Sequence, residues 1–234
     1  MTRLAFALNV ARQDKALEWL SRIRNQVDCY KLQMDLFGRA GPGLVREFVN
    51  RGAHVFLDLK FHDIPSVVAN AVKAAAEMRV SLLTVHASGG QKMLEAAAGA
   101  SRESGKDRPL ILAVTVLTSL DDAELRRVFG CDGNAKERAL ALARLAKESG
   151  CDGVVCSAQE VAAIKAACGR EFLAVCPGIR LADSQAEDQA RVGTPAQAAK
   201  DGADYMVVGR PIYEAKDPLA AIAEIKRQTE NRDD

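Results

Sequence analysis

The sequence predicts an α/β chain folded as a single-domain (β/α)8 TIM barrel spanning residues 1–234. Three observations lead there. Short apolar runs alternate with longer amphipathic stretches along the whole chain. Eight such pairs fit into the 234 residues. The first strand-to-helix turn lacks the glycine-rich fingerprint that a doubly wound open sheet carries.

The strand-like runs are residues 4–10, 29–33, 55–60, 82–86, 110–117, 153–156, 173–176 and 205–208. The helical stretches are residues 15–24, 43–51, 67–79, 91–104, 136–149, 158–167, 195–200 and 218–227. Gly52, Gly150 and Gly202 each follow a helical stretch and precede a strand, where a left-handed cap is wanted. Thr194-Pro195 supplies an N-cap and a proline at the first helical position. Residues 120–134 are the least regular and predict one short extra helix. The polar tail 229–234 predicts fraying.

Composition narrows the function classes. Apolar residues are 48% and charged residues 27%, which excludes a disordered chain. Lys plus Arg number 32 against 31 Asp plus Glu, so no broad basic face for nucleic acid is expected. No apolar run reaches the ~18 residues of a membrane span, and the N-terminal segment lacks the pattern of a secretory signal. A cytoplasmic protein with neither nucleic-acid nor membrane partners is the expectation. The six cysteines form no C-x-x-C pair and there are only three histidines, so no metal site is expected and the thiols read as reduced, mostly core residues.

Strand alternation then selects the residues that face the barrel interior. In residues 55–60, Val55, Leu57 and Leu59 face the helices while Phe56, Asp58 and Lys60 face inward. In the first strand Ala5, Ala7 and Asn9 face inward, and in the second Cys29, Lys31 and Gln33. Three adjacent strands thus deliver Asn9, Lys31, Asp58 and Lys60 to the C-terminal mouth, where barrel enzymes keep their chemistry. Asp63 follows in the loop. The pattern suits an active site, and it also suits a structural ion-pair network. After the seventh strand comes Pro177-Gly178-Ile179-Arg180, and after the eighth Gly209-Arg210-Pro211. Glycine amides beside forked cations suit a phosphate; ordinary turns with solvated arginines are the alternative. The long connection at 181–193 predicts a lid.

The run Asp58-Leu59-Lys60-Phe61-His62-Asp63-Ile64-Pro65 resembles the signature of the orotidine 5′-phosphate decarboxylase family. VHASGG (85–90), VTVLTS (114–119), GVVCSAQ (153–159), PGIR (177–180) and YMVVGRP (205–211) extend the resemblance over nearly the whole chain. It implies conversion of orotidine 5′-monophosphate to uridine 5′-monophosphate in pyrimidine synthesis, without metal or cofactor. It implies that Lys31, Asp58, Lys60 and Asp63 form an alternating charged tetrad, with Lys60 the proton donor and Asp63 contributed across a homodimer interface. It also implies that Asn9, Lys31, Ile64 and Thr118 contact the nucleoside part of the substrate, and that Arg180, Gln189, Gly209 and Arg210 grip its phosphate, with Gln189 on the lid. Two positions depart from the family pattern: Asn9 stands where an Asp is usual, and Val67 where a Thr is common. Two rival readings share parts of this pattern, a Mg2+-dependent sugar-phosphate enzyme with the same D-x-K-x-x-D core and a catalytically silent nucleotide-binding barrel.

Overall fold

The computed structural model describes residues 1–130, 133–180 and 193–230. Parallel strands close into a barrel in chain order: β1 (Arg3–Leu8), β2 (Cys29–Gln33), β3 (Val55–Phe61), β4 (Leu82–His86), β5 (Leu110–Val114), β6 (Gly153–Val155), β7 (Leu173–Cys176) and β8 (Tyr205–Val208), which pairs back onto β1. Between and after them lie α1 (Gln13–Ile23), α2 (Met34–Asn50), α3 (Pro65–Glu77), α4 (Gln91–Glu103), α5 (Asp122–Phe129), α6 (Ala135–Glu148), α7 (Val161–Cys168), α8 (Pro195–Lys200), α9 (Arg210–Tyr213) and α10 (Pro218–Glu230). Among the described residues, no helix is long and apolar enough to cross a membrane.

Alternation sorts the strand residues into two layers as the pattern requires. Leu4, Phe6 and Leu8, Tyr30 and Leu32, and Val55 and Leu57 pack between sheet and helices. Ala5, Cys29, Phe56, Leu82, Leu112, Val175, Tyr205 and Val207 fill the barrel interior. The interior is thus packed below the mouth, and the charged residues stand on an apolar floor. Gly52, Gly150 and Gly202 have φ of 82°, 81° and 92°, the left-handed caps expected of them. The Thr194 side chain accepts from the Gln197 amide at the start of α8, and α5 is the short extra helix of the irregular segment.

Several boundaries differ from the sequence reading. α2 begins at Met34, not at 43, because the chain turns helical directly after β2. Gly41 (φ 64°, ψ −166°) and Pro42 then interrupt the helical path, which gives the segment the composition of a loop. β1 and β5 end at Leu8 and Val114, so Asn9 and residues 115–117 belong to the loops of the mouth. Thr229 is buried and ends α10 with Glu230, so the expected fraying does not begin at 229; residues 231–234 lie outside the described residues.

The main irregularity of the sheet sits at the end of β3. Leu57 pairs with Leu83, yet the next pair is Phe61 with Val85, so β3 spends four residues where β4 spends two. Lys60 lies in this bulge at φ 51°, a left-handed conformation that costs a residue with a Cβ about 1 kcal/mol. Its amide leaves the ladder and donates to Thr84 Oγ1 at 2.9 Å. Lys60→Gly should therefore be more stable than Lys60→Ala by about 1 kcal/mol, the reverse of the ordinary order in regular structure. Urea denaturation of the two variants measures this, and an alanine variant of equal or greater stability would mean that the backbone there is not strained.

Candidate active site at the barrel mouth

Asp58 is the centre of the mouth. The β2–β3 register sets Asp58 opposite Gln33 and Phe56 opposite Lys31, one layer deeper. The Lys31 side chain climbs that layer and places Nζ 2.9 Å from Asp58 Oδ2. Lys60, aimed by the bulge, places Nζ 2.8 Å from Asp58 Oδ1. Thr84 donates to the same Oδ1 at 3.0 Å. One carboxylate is thus held by two ammonium groups and a hydroxyl while only 7% exposed, with Lys31 at 8%. Burying an unpaired charge is costly, so each member depends on the others.

The carboxyl group responds accordingly. Burial alone would raise it, but Lys31 and Lys60 outweigh burial and hold it at about 2. Asp58 is therefore ionised throughout the neutral range. His86, at the end of β4, packs its ring 5.4 Å from that of His62. Burial first, then His62 and Lys60, push its titration below the usual histidine value, so near neutrality it is the uncharged imidazole.

Beside the carboxylate lies a cavity of about 190 Å³, lined by Lys31, Phe56, Asp58, Lys60, Val114, Val116, Leu117, Thr118, Val155, Cys156, Pro177 and Val207. One wall carries the charges and the rest is mostly apolar, which gives any bound group a low-dielectric surround. The Cys156 thiol, hydrogen-bonded to Cys176 and buried, is pushed well up and stays protonated. The five cysteines among the described residues are all free and buried; Cys131 lies outside them. Both Asp58 oxygens are engaged by cations, and among the described residues no three His, Cys, Asp or Glu side chains gather as a metal site would require.

The other residues singled out in the sequence fall in different places. Thr118 lines the cavity. Asn9 stands at the exposed rim and accepts from Gln33 Nε2 at 3.0 Å. Asp63 makes no ion pair with Lys60 within the chain among the described residues; its Oδ1 accepts from the Ile64 amide at 2.6 Å. Ile64 precedes α3 and is 63% exposed. Gly209 and Arg210 open α9 directly after β8, and the Arg180 amide bonds to the Gly193 carbonyl after β7. These turns follow neighbouring strands at the same end of the barrel; Pro177 of the first lines the 190 Å³ cavity, but Arg180, Gly209 and Arg210 do not. Gln189 and residues 181–192 of the expected lid lie outside the described residues. Sequence reasoning missed Thr84 as a partner of Asp58, although alternation from Leu82 already puts Thr84 on the inner face. It also missed Tyr213, whose hydroxyl lies 3.4 Å from Asn9 Nδ2 and which no local pattern marks.

Fold and site together define a (β/α)8 barrel with a charged ligand pocket at the C-terminal ends of its strands. The model of the orotidine 5′-phosphate decarboxylase / HUMPS family matches residues 2–225. The orotidine 5′-phosphate decarboxylase of Sodalis glossinidius is 50% identical over 222 residues, covering 95% of this chain and 88% of that protein. That of Legionella pneumophila (strain Corby) is 47% identical over 225 residues, covering 96% and 98%. The crystal structure of orotidine 5′-phosphate decarboxylase from Lactobacillus acidophilus superposes with a TM-score of 0.87 at 37% identity, covering 98% of this chain and 99% of that one. The chain belongs to the orotidine 5′-phosphate decarboxylase / HUMPS family.

The Asp58 clamp has a consequence for stability. A carboxyl group held below its unfolded value of 3.8 stabilises the fold above that pH, and the contribution fades as pH falls toward 2. Asp58→Asn should lower the unfolding free energy by roughly 2 kcal/mol at about pH 7. The gap to the parent protein should narrow at about pH 3. Urea titrations at both values check it; a gap that is constant or widens in acid contradicts the assignment.

Proposed function

We propose that this chain decarboxylates orotidine 5′-monophosphate to uridine 5′-monophosphate in pyrimidine biosynthesis. The observation that carries the reading is the pair of ammonium groups, 2.9 and 2.8 Å from the two oxygens of one buried carboxylate beside an apolar cavity. Loss of CO2 from a pyrimidine ring carbon leaves an electron pair in the ring plane, where the π system accepts it poorly. A cation fixed at that carbon stabilises the developing charge and then delivers the proton. Lys60 takes this role. Asp58 holds Lys60 and Lys31 in place as charged groups, and its own negative charge faces the departing carboxylate.

Charge arithmetic shows what else is needed. A unit charge ~4 Å away contributes roughly 4 kcal/mol at an effective dielectric of about 20. A slow decarboxylation needs ~20 kcal/mol of barrier lowering. The balance comes from preorganisation and from binding energy remote from the reacting carbon. Arg180, Gln189, Gly209 and Arg210 supply it by holding the phosphate. Thr118 and Ile64 contact the base, and Asn9 and Lys31 the sugar.

Within one chain, Lys31, Asp58 and Lys60 sum to +1. A second carboxylate would complete a neutral tetrad, and Asp63 of a second copy is assigned that place in a homodimer. Exposed Met34, Ile64, Val67 and Leu117 support such an interface, since all follow strand ends at the mouth. The buried, unpaired cysteines agree with a reducing cytoplasm. A protein treated with chelator should still convert orotidine 5′-monophosphate, read as loss of its ultraviolet absorbance; activity that vanishes with chelator and returns with Mg2+ would favour the metal-dependent alternative.

The shared site makes a sharper prediction. Lys60→Ala and Asp63→Ala should each be folded and nearly inactive. Mixed and re-associated, they form heterodimers in which one site has both residues intact, restoring roughly a quarter of the parent activity. A mixture as inactive as its components would place Asp63 outside the neighbour's site.

A further inference from the structure

A chain of hydrogen bonds leads from the charged clamp to the phosphate side of the mouth through two residues that the proposed mechanism does not use, Gln33 and Tyr213. Lys31 Nζ donates to Gln33 Oε1 at 2.9 Å, Gln33 Nε2 donates to Asn9 Oδ1 at 3.0 Å, and Asn9 Nδ2 reaches the Tyr213 hydroxyl at 3.4 Å. The direction of the chain follows from chemistry. An ammonium group has donors only, so Gln33 must turn its oxygen to Lys31 and its NH2 to Asn9. Asn9 must then answer with its oxygen, which leaves its NH2 for Tyr213. The phenolic oxygen accepts, and its own proton points away from Asn9.

Tyr213 also touches the other side of the site. It lies one turn after Arg210 on α9, and its amide bonds to the Gly209 carbonyl at 3.2 Å. A Cβ built on Gly209 would lie 3.6 Å from Tyr213 Cε1, so the ring stands against the glycine of the phosphate turn. Its hydroxyl therefore sits between the Asn9 rim and the Gly209-Arg210 turn. Every link after Lys31 is neutral, so the relay spreads donor character outward without cancelling the +1 of the clamp.

We infer that Gln33 is a positioning residue, fixing the Lys31 ammonium and orienting Asn9, and that Tyr213 is a specificity-determining residue whose hydroxyl donates to a ligand oxygen between sugar and phosphate. This rests on the functional reading above. A carboxylate at position 9 reverses the relay: it accepts from Gln33 and from Tyr213 alike, and the phenol no longer donates to the ligand. The residue at position 9 thereby decides whether Tyr213 takes part in recognition.

The test combines spectroscopy with a mutant cycle. Three tyrosines are present, so 13Cζ labelling resolves Tyr213. Asn9→Asp should move its signal downfield, as the hydroxyl becomes a donor to a carboxylate. The Lys31 ammonium cross-peak should be visible in the parent and in Gln33→Glu, which keeps the acceptor, and lost in Gln33→Leu. With orotidine 5′-monophosphate, Tyr213→Phe should raise KM about fivefold at unchanged kcat, and less than about twofold in the Asn9→Asp background. Gln33→Leu should lower kcat about tenfold, with Gln33→Glu retaining most of it. Equal effects of Tyr213→Phe in both backgrounds, an unmoved Tyr213 signal, or an intact Lys31 signal in Gln33→Leu would each overturn the relay. A parent protein that binds but does not decarboxylate this nucleotide would instead overturn the functional reading, and the two spectroscopic results would still decide the relay.

Discussion

The two oxygens of Asp58 are shared between Lys31 and Lys60 in a barrel mouth that is closed from below by apolar side chains. The rest of the site is arranged around that constraint. A buried carboxylate in such surroundings needs cations, and two buried cations need a carboxylate. The β3 bulge, the left-handed Lys60 and the Thr84 hydroxyl are the local means by which the chain satisfies both. The strain is thus concentrated at the end of β3, while β2 supplies the second cation through Lys31 and β4 the hydroxyl through Thr84.

Charge held in fixed geometry is what an electrostatic mechanism requires. In water, dipoles would have to reorganise as charge develops on a reacting carbon. Here the ammonium groups are already oriented, and the largely apolar cavity walls keep the effective dielectric low. The relay through Gln33 and Asn9 extends the same principle, since it ties the orientation of polar groups at the rim to the fixed charge of Lys31. The polar network of the mouth thus runs from the clamp to the Tyr213 hydroxyl, on a ring that stands against Gly209.

Much of this was legible in the sequence, for a reason that also marks the limit. Period-two alternation in residues 55–60 places Asp58 and Lys60 on the same side, and the same alternation in β2 adds Lys31, so the clamp follows from local pattern alone. The left-handed Lys60 does not, because nothing in Leu-Lys-Phe signals a bulge; that depends on the register against β4. Thr84 was on the inner face by alternation, yet its role needs the same register. The helical residues 34–40 were hidden by Gly38 and by the Gly41-Pro42 interruption that follows, a composition that reads as loop. Tyr213 was invisible because its partner Asn9 lies 204 positions away, a contact that only closure of β8 onto β1 creates.

The most direct measurement of the central claim is a 13C NMR titration of the Asp58 carboxyl group in the ligand-free protein. Two flanking ammonium groups predict a midpoint at about 2, with the group fully ionised at pH 5. A midpoint at or above the ordinary carboxylate value of 3.8 would show that burial outweighs the lysines. Asp58 would then not be the anchor of a charged clamp.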